Sequence, residues 1–155
     1  MSYKKLNIER IREKVADIKE NLQILRDYSK QDREEFVENK EAVRSAKYAF
    51  IVMIEASSNI ANHLCARLIN TSPDSYAECF LLLGKHELIS SKLSINLSKM
   101  AGFRNILVHG YTEIDDSKIY DFLQTSLDDL NIYLKELSIL LEKNTSEGEI
   151  DENKH

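Results

Sequence analysis

The chain has 155 residues, of which 43% are apolar and 30% charged, a balance typical of one globular domain and too apolar for general disorder. Its formal net charge of −5 argues against a protein that wraps nucleic acid with a broad basic surface. No apolar run reaches membrane-spanning length, and the first residues lack the apolar core of a signal peptide, so we expect a cytoplasmic protein without membrane contact.

One proline and four glycines leave few turn signals for a β-rich fold, and apolar residues recur at helical spacing along most of the chain. The first predicted helix carries a stripe in which steps of three and four residues alternate: Ile8, Ile11, Val15, Ile18, Leu22 and Leu25. A second helix is predicted from a cap at Asp32, with Glu35 completing a capping box, to about Asn70. It is apolar nearly all round from residue 46 to residue 69, which predicts a central helix surrounded by others.

The predicted central helix is interrupted by one polar stripe. Glu55, Asn59 and Asn62 follow one another at spacings of four and three, with His63 one position further round. Buried polar groups need partners, so the stripe is either a hydrogen-bonded feature of the core or the wall of a cleft. We interpret His63 as structural, because the sequence offers it no chemical partner.

A short helix is predicted after Pro73, capped by Asp74 or Ser75 and ended by Gly84. The next helix carries the segment RNILVHGY, and a last one follows a cap among residues 115–117. These elements predict an all-α, up-and-down bundle of about five helices.

The predicted bundle fills residues 1–142 as a single domain, and the polar, acidic residues 143–155 are expected to form a disordered tail. Cys65 and Cys79 stand at neither zinc-binding nor redox-motif spacing, so we expect two buried free thiols.

Three residues of RNILVHGY have side chains suited to phosphate chemistry: Arg104, His109 and Tyr111. Arginine holds phosphate oxygens with a permanently charged fork, and histidine transfers protons near neutral pH. With the 2′-hydroxyl of RNA as an internal nucleophile, an anion clamp and a proton-transfer group are the minimum for RNA cleavage. Taken alone, the spacing favours a structural reading, with a histidine at a helix end and an arginine in a surface ion pair.

On one unbroken helix, Arg104 and His109 would point about 140° apart. Gly110 can end the helix just after the histidine, and a two-fold axis beside this end can bring the arginine of one chain to the histidine of another. Asn105 lies four residues before His109, where its amide can orient the imidazole.

The segment FRNILVHGY resembles the Arg-x4-His-x-Tyr motif of the HepT-like toxins in the HEPN superfamily. The resemblance extends upstream through IEASSNIANHL at 54–64 and SPDSYAECFLLL at 72–83, and it covers most of the chain from Ala46 to about Leu141. It implies a helical bundle that dimerises with its motifs facing one cleft, and a metal-independent ribonuclease. It also implies a partner, an MNT-type minimal nucleotidyltransferase antitoxin that transfers AMP from ATP to the motif tyrosine.

Carried over to this sequence, the resemblance makes Arg104 and His109 the catalytic pair, Asn105 a supporting residue and Tyr111 the AMP acceptor. Glu55 and Asn59 are our further candidates for polar residues that line the cleft. We expect a homodimer that acts on RNA, with no cofactor, no metal and no DNA ligand.

A local basic rim is a further feature of the motif helix, because residues 85–104 contain four cations against one acid, whereas acids dominate from residue 113 onward. Two other readings remain open. The chain is either a non-catalytic HEPN module that docks a nucleotidyltransferase, or a purely structural oligomerisation domain.

Overall fold

Seven α-helices and one π-helical turn make up the part of the chain that the structure describes, in the order α1 (Ile8–Ser29), α2 (Arg33–Glu38), α3 (Lys40–Leu64), the π-helical turn (Cys65–Ile69), α4 (Tyr76–Lys85), α5 (Ser91–His109), α6 (Asp116–Thr125) and α7 (Leu127–Glu152). The structure is a computed structural model that describes residues 6–109 and 115–152, with side chains in 6–108 and 115–144. The described residues contain no strand, so the predicted all-α class is confirmed.

Helix α3 is the centre of the bundle, as the sequence predicted. It packs against α1, α2, α4, α5 and α6. Its buried side chains lie on one broad side of the helix and include Phe50, Met53, Ile54, Ile60 and Leu64. The opposite side, where Tyr48 is 69% exposed and Glu55 is half-buried, is not covered, so the helix is not surrounded on all sides as its apolar sequence had predicted. The covered side brings together five neighbouring helices, which is why α3 organises the other elements.

Two predicted helices are each divided in the structure, which raises the helix count above the five expected. Asn39 takes an extended backbone between α2 and α3, and its side chain accepts a hydrogen bond from the Ala42 N–H at 3.1 Å. Asp32 stands at the N-cap position of α2 but makes no side-chain cap bond, so the predicted capping box does not form. Ser126 separates α6 from α7 in the same region where one final helix was expected.

Helix α4 is capped by Ser75, whose hydroxyl accepts from the Glu78 N–H at 3.1 Å, one of the two predicted caps. The prediction that Gly84 ends this helix is wrong, because Gly84 lies within it and the helix continues to Lys85. A Cβ at this glycine would overlap Cβ and Oγ of Ser94 on α5, whose hydroxyl donates to the Phe80 carbonyl at 2.8 Å. Gly84 therefore serves the close packing of α4 on α5.

Phe103 fixes how α5 is rotated in the bundle. Its ring stacks on Phe122 of α6 with centroids 3.7 Å apart and meets Phe50 of α3 edge-on at 6.0 Å. Because Phe103 is buried, the next residue, Arg104, is directed along the side of α5 that faces α3.

Helix α7 continues to Glu152, whereas the sequence led us to expect a disordered tail from residue 143. The polar composition of this segment was the reason for that expectation, but polarity does not prevent a nucleated helix from adding one backbone hydrogen bond per residue. The domain boundary at residue 142 stays a prediction. Among the described helices, none is long and apolar enough to cross a membrane.

Candidate functional site

An ion pair between two helices forms the centre of the candidate site. Arg104 on α5 donates from Nε to Oε1 of Glu55 on α3 at 2.5 Å, and each side chain keeps 28% of its surface exposed. The sequence analysis had singled out both residues separately, but 49 positions divide them and nothing in the sequence paired them. Because Glu55 binds only Nε, the two terminal nitrogens of the guanidinium keep most of their N–H donors for another ligand.

Glu55 also contacts a residue that the sequence analysis did not single out. The hydroxyl of Tyr76, the first residue of α4, donates to Oε2 of Glu55 at 3.5 Å. Burial and the negative charge of Glu55 raise the pKa of Tyr76, which keeps its phenol protonated and able to donate. One carboxylate therefore ties α3 to α4 and α5.

The other residues of the polar stripe differ in whether their side chains are hydrogen-bonded. Asn59 donates to the Glu55 backbone carbonyl at 2.8 Å, a bond within α3, so its amide nitrogen is directed at its own helix. His63 accepts from the Asn7 N–H through Nε2 at 2.9 Å, which supports its structural interpretation. Burial first, and then the charges of Arg67 and Arg10, lower the pKa of His63. In the described part of the chain, the Asn62 side chain makes no hydrogen bond.

A cavity of about 330 Å³ opens beside Arg104. Asn105 lines it from α5, and its Oδ1 accepts a long bond of 3.4 Å from the Arg104 guanidinium. Asn62 lines it from α3 and Tyr76 from α4. The polar stripe of α3 is thus hydrogen-bonded at Glu55 and Asn59, and only Asn62 of the stripe lines this cavity.

The other motif residues are only partly covered by the structure. His109 is the last residue of α5, but its side chain is not among those described. Gly110 and the predicted AMP acceptor, Tyr111, lie outside the described residues. The roles of Arg104, Asn105, His109, Tyr111, Glu55 and Asn59 therefore stay predictions.

Helical register nevertheless limits where residue 109 stands relative to Arg104. Both belong to the single helix α5, so their positions are about 140° apart around its axis. Asn105 and Ala101, which line the cavity, occupy the register between them. Residue 109 therefore stands on the same side of α5 as Asn105, about one turn further along the helix.

Cys65 and Cys79 are both free and fully buried, as expected, but the sequence did not predict that they touch. Their sulfur atoms lie 3.0 Å apart, joining the π-helical turn to α4. The hydrogen bond with Cys65, and then burial, raise the pKa of Cys79 far above that of an ordinary thiol. Their 14-residue separation across a turn gave no signal of this contact.

Comparison with known proteins gives the family. A family model described as Ribonuclease HepT-like matches residues 18–137. Over 80 residues the chain is 38% identical to the mRNA nuclease HepT of Shewanella oneidensis. These 80 residues cover 52% of this chain and 60% of that protein. Over 90 residues it is 24% identical to the tRNA nuclease HepT of Aphanizomenon flos-aquae. These 90 residues cover 58% of this chain and 61% of that protein. The matched region is thus about three fifths of the length of each of these relatives.

The fold is shared with a solved structure of the tri-AMPylated Shewanella oneidensis HEPN toxin in complex with its MNT antitoxin. The superposition has a TM-score of 0.77 at 29% identity and covers 84% of this chain and 97% of the other. The resemblance seen in the sequence is confirmed, and the chain belongs to the HepT-like ribonuclease family of helical HEPN proteins.

Proposed function

We propose that this protein is a metal-independent endoribonuclease, the toxin of a type II toxin–antitoxin system acting in the cytoplasm. The observation that carries the proposal is the Arg104–Glu55 ion pair beside an open cavity, with Arg104 five residues before His109 on the same helix. Relatives are named mRNA nuclease and tRNA nuclease, which supports RNA as the substrate class.

In the proposed mechanism, Arg104 holds the non-bridging oxygens of the scissile phosphate with the N–H groups that Glu55 leaves free. Glu55 fixes the plane of the guanidinium through Nε, so less side-chain entropy is lost when the phosphate binds. His109 removes the proton from the 2′-hydroxyl as it attacks phosphorus, or returns a proton to the departing 5′-oxygen. The products are a 2′,3′-cyclic phosphate and a free 5′-hydroxyl.

A homodimer completes the proposed site. Helix α5 exposes one stripe at steps of three and four residues, formed by Lys92, Ile95, Lys99, Gly102 and Ile106. Ile95 and Ile106 are 47% and 55% exposed, and residue 109 stands at the edge of this stripe. A two-fold axis along the stripe would cover both isoleucines and bring His109 of each chain towards the other chain's cleft.

The proposed antitoxin is a nucleotidyltransferase that transfers AMP to Tyr111, in keeping with the tri-AMPylated toxin of Shewanella oneidensis. An AMP group two residues after His109 would add bulk and negative charge where the RNA phosphate must bind, which is a physical reason for inhibition. The intact mass of the chain after coexpression with its nucleotidyltransferase tests this step. We expect a gain of one or more AMP units that is lost in Tyr111→Phe.

The experiment that tests the nuclease is cleavage of total transfer RNA and of a messenger transcript in EDTA by protein shown to lack AMP. We expect cleavage by the wild type and none by Arg104→Ala or His109→Ala. Lys118→Ala, at an exposed position in the first turn of α6, is the matched control and should keep wild-type activity. Cleavage that persists in both motif variants would refute the mechanism. Absence of cleavage by folded wild type, together with binding to the nucleotidyltransferase, would favour the docking module.

A further inference from the structure

The cavity beside Arg104 has a second property, which is that two of its polar side chains, Asn62 and Asp74, are not used by the rest of the described protein. Its walls come from Asn62 of α3, the turn before α4 with Asp74, Tyr76 of α4 and Gly102 of α5. A Cβ added to Gly102 would meet no atom within 4 Å, so this side of the cavity is open. Its volume of about 330 Å³ lies at the lower end of the range for small-ligand pockets.

The polar groups of the cavity are available for a ligand. In the described part of the chain, neither the Asn62 amide nor the Asp74 carboxylate has a side-chain hydrogen bond or ion pair. The Tyr76 ring, in contrast, is held in place because its hydroxyl donates to Glu55. The cavity therefore combines a fixed aromatic ring, an amide that can donate and accept, and a carboxylate that only accepts.

The charge of the lining argues against a phosphate deep inside the cavity. Arg104 is the only cation among the lining residues and is paired with Glu55, while Asp74 would repel a second anion. A flat, neutral group with hydrogen-bond donors on its edge satisfies the amide and the carboxylate together. Nucleobases of single-stranded RNA are bound in this way, by an aromatic ring and by hydrogen bonds to their edges.

We propose that this cavity binds the nucleobase next to the scissile phosphate and that Asp74 and Asn62 select bases that carry an exocyclic amino group over uracil. The proposal rests on the proposed ribonuclease function and adds a base preference to it. Adenine, cytosine and guanine each carry an exocyclic amino group that can donate to Asp74, although in guanine this group lies at C2. Uracil has no amino group and places a carbonyl oxygen on each side of its single N3–H, so its edge brings an acceptor against the carboxylate. Arg104 at the rim then receives the adjoining phosphate.

The test uses 2′-O-methyl RNA oligomers that contain a single unmodified ribonucleotide, so that only one phosphodiester has an attacking hydroxyl. Two sets of substrates vary the base on the 5′ side or the 3′ side of that bond. In one of the sets, we expect the wild type to cleave the best amino-bearing base about tenfold faster than uracil. Asp74→Asn should reduce this ratio to below about threefold, because its amide also donates to the uracil carbonyl. Asn62→Leu should slow cleavage of the preferred base most.

Asp128→Asn is the matched control, because this aspartate lies on α7 and is 88% exposed, so we expect the wild-type base profile. A wild type that cleaves all four bases equally, or an Asp74→Asn variant that keeps the wild-type ratio, would overturn the proposal. If the wild type cleaves none of the RNAs, the ribonuclease function itself fails. Binding of the same oligomers, followed by fluorescence anisotropy, then decides on the cavity. A preference for amino-bearing bases that Asp74→Asn removes supports it, and equal binding refutes it.

Discussion

At the scale of single residues, Glu55 is the carboxylate on which the candidate site depends. It accepts from Arg104 through one oxygen and from Tyr76 through the other. Removing it frees a long, flexible cation, so the guanidinium must be ordered again each time a phosphate binds. We therefore propose that Glu55 acts as a positioning residue.

We predict that Glu55→Ala lowers the rate of RNA cleavage by about tenfold to a hundredfold, the range expected when a catalytic group is misplaced by about 1 Å. Glu55→Gln should lose less, because the amide oxygen still accepts from Nε of Arg104. Single-turnover rates on one RNA substrate measure both variants, and thermal unfolding checks that both are folded. Equal rates for the alanine and glutamine variants would show that the hydrogen bond does not position the arginine.

His63 gives a pH dependence of stability. Its Nε2 accepts from the Asn7 N–H, so the folded protein favours the neutral imidazole, and burial beside Arg67 and Arg10 lowers the pKa further. The unfolded chain therefore binds more protons than the folded one once the pH falls below about 6.5, and the free energy of unfolding decreases in that range.

We expect chemical denaturation between pH 7.5 and pH 5.5 to show this loss in the wild type and a smaller loss in His63→Gln, which can still accept from Asn7 through its amide oxygen. His86, which is exposed at the end of α4, supplies the control. His86→Gln should follow the wild-type curve. An identical pH dependence in the wild type and His63→Gln would contradict the assignment.

At the scale of helices, the contact between α4 and α5 positions the candidate site, because α4 carries Tyr76 and α5 carries Arg104. Gly84 allows the two helices to approach until Ser94 reaches the Phe80 carbonyl. Ser94 is 3% exposed, so it has little room to move aside.

We predict that Gly84→Ala destabilises the protein by about 1–3 kcal/mol, the usual cost of overpacking a close contact, despite the better helix propensity of alanine. Gly102→Ala is the matched control, since a Cβ there meets open space and should be neutral or stabilising for folding. Denaturant unfolding of the two variants measures the difference. Equal stability would show that α4 and α5 can separate at no cost.

The sequence predicted those elements whose apolar pattern is long and regular. The stripe of the first helix and the broad buried side of α3 follow the 3.6-residue period. The breaks at Asn39 and Ser126 escaped prediction because each is a single polar residue whose local backbone conformation overrides the period. The role of Gly84 was not predicted either. A glycine is compatible both with a helix end and with a close helix–helix contact, and the sequence does not show that Ser94 lies against it.

At the scale of the whole molecule, the candidate site divides between what one chain provides and what a second would add. Arg104, Glu55 and the cavity belong to one bundle, and their proximity could not be predicted because it comes from the packing of distant helices. The residues for phosphate chemistry were proposed from RNILVHGY and its resemblance to the HepT-like motif, and their roles stay predictions.

The proposed dimer leads to a complementation prediction. Arg104→Ala and His109→Ala chains should each be inactive alone, but mixed dimers should recover part of the activity if the arginine of one chain acts with the histidine of the other. About half of the dimers are mixed after random exchange, and each would contain one complete site. Cleavage assays before and after mixing, with subunit exchange verified by native mass spectrometry, measure the recovery. Full exchange without recovery would place both groups of each site in a single chain.

The two buried thiols, Cys65 and Cys79, also provide a way to measure local unfolding of the protein. Both thiols are sealed where the π-helical turn meets α4, the helix that carries one wall of the cavity. An alkylating reagent reaches them only when this junction separates, so the labelling rate measures the free energy of that opening. An oligonucleotide that binds in the cavity and stabilises this junction would slow the labelling. The alkylation rate of two core thiols would then measure how much of the protein has substrate bound.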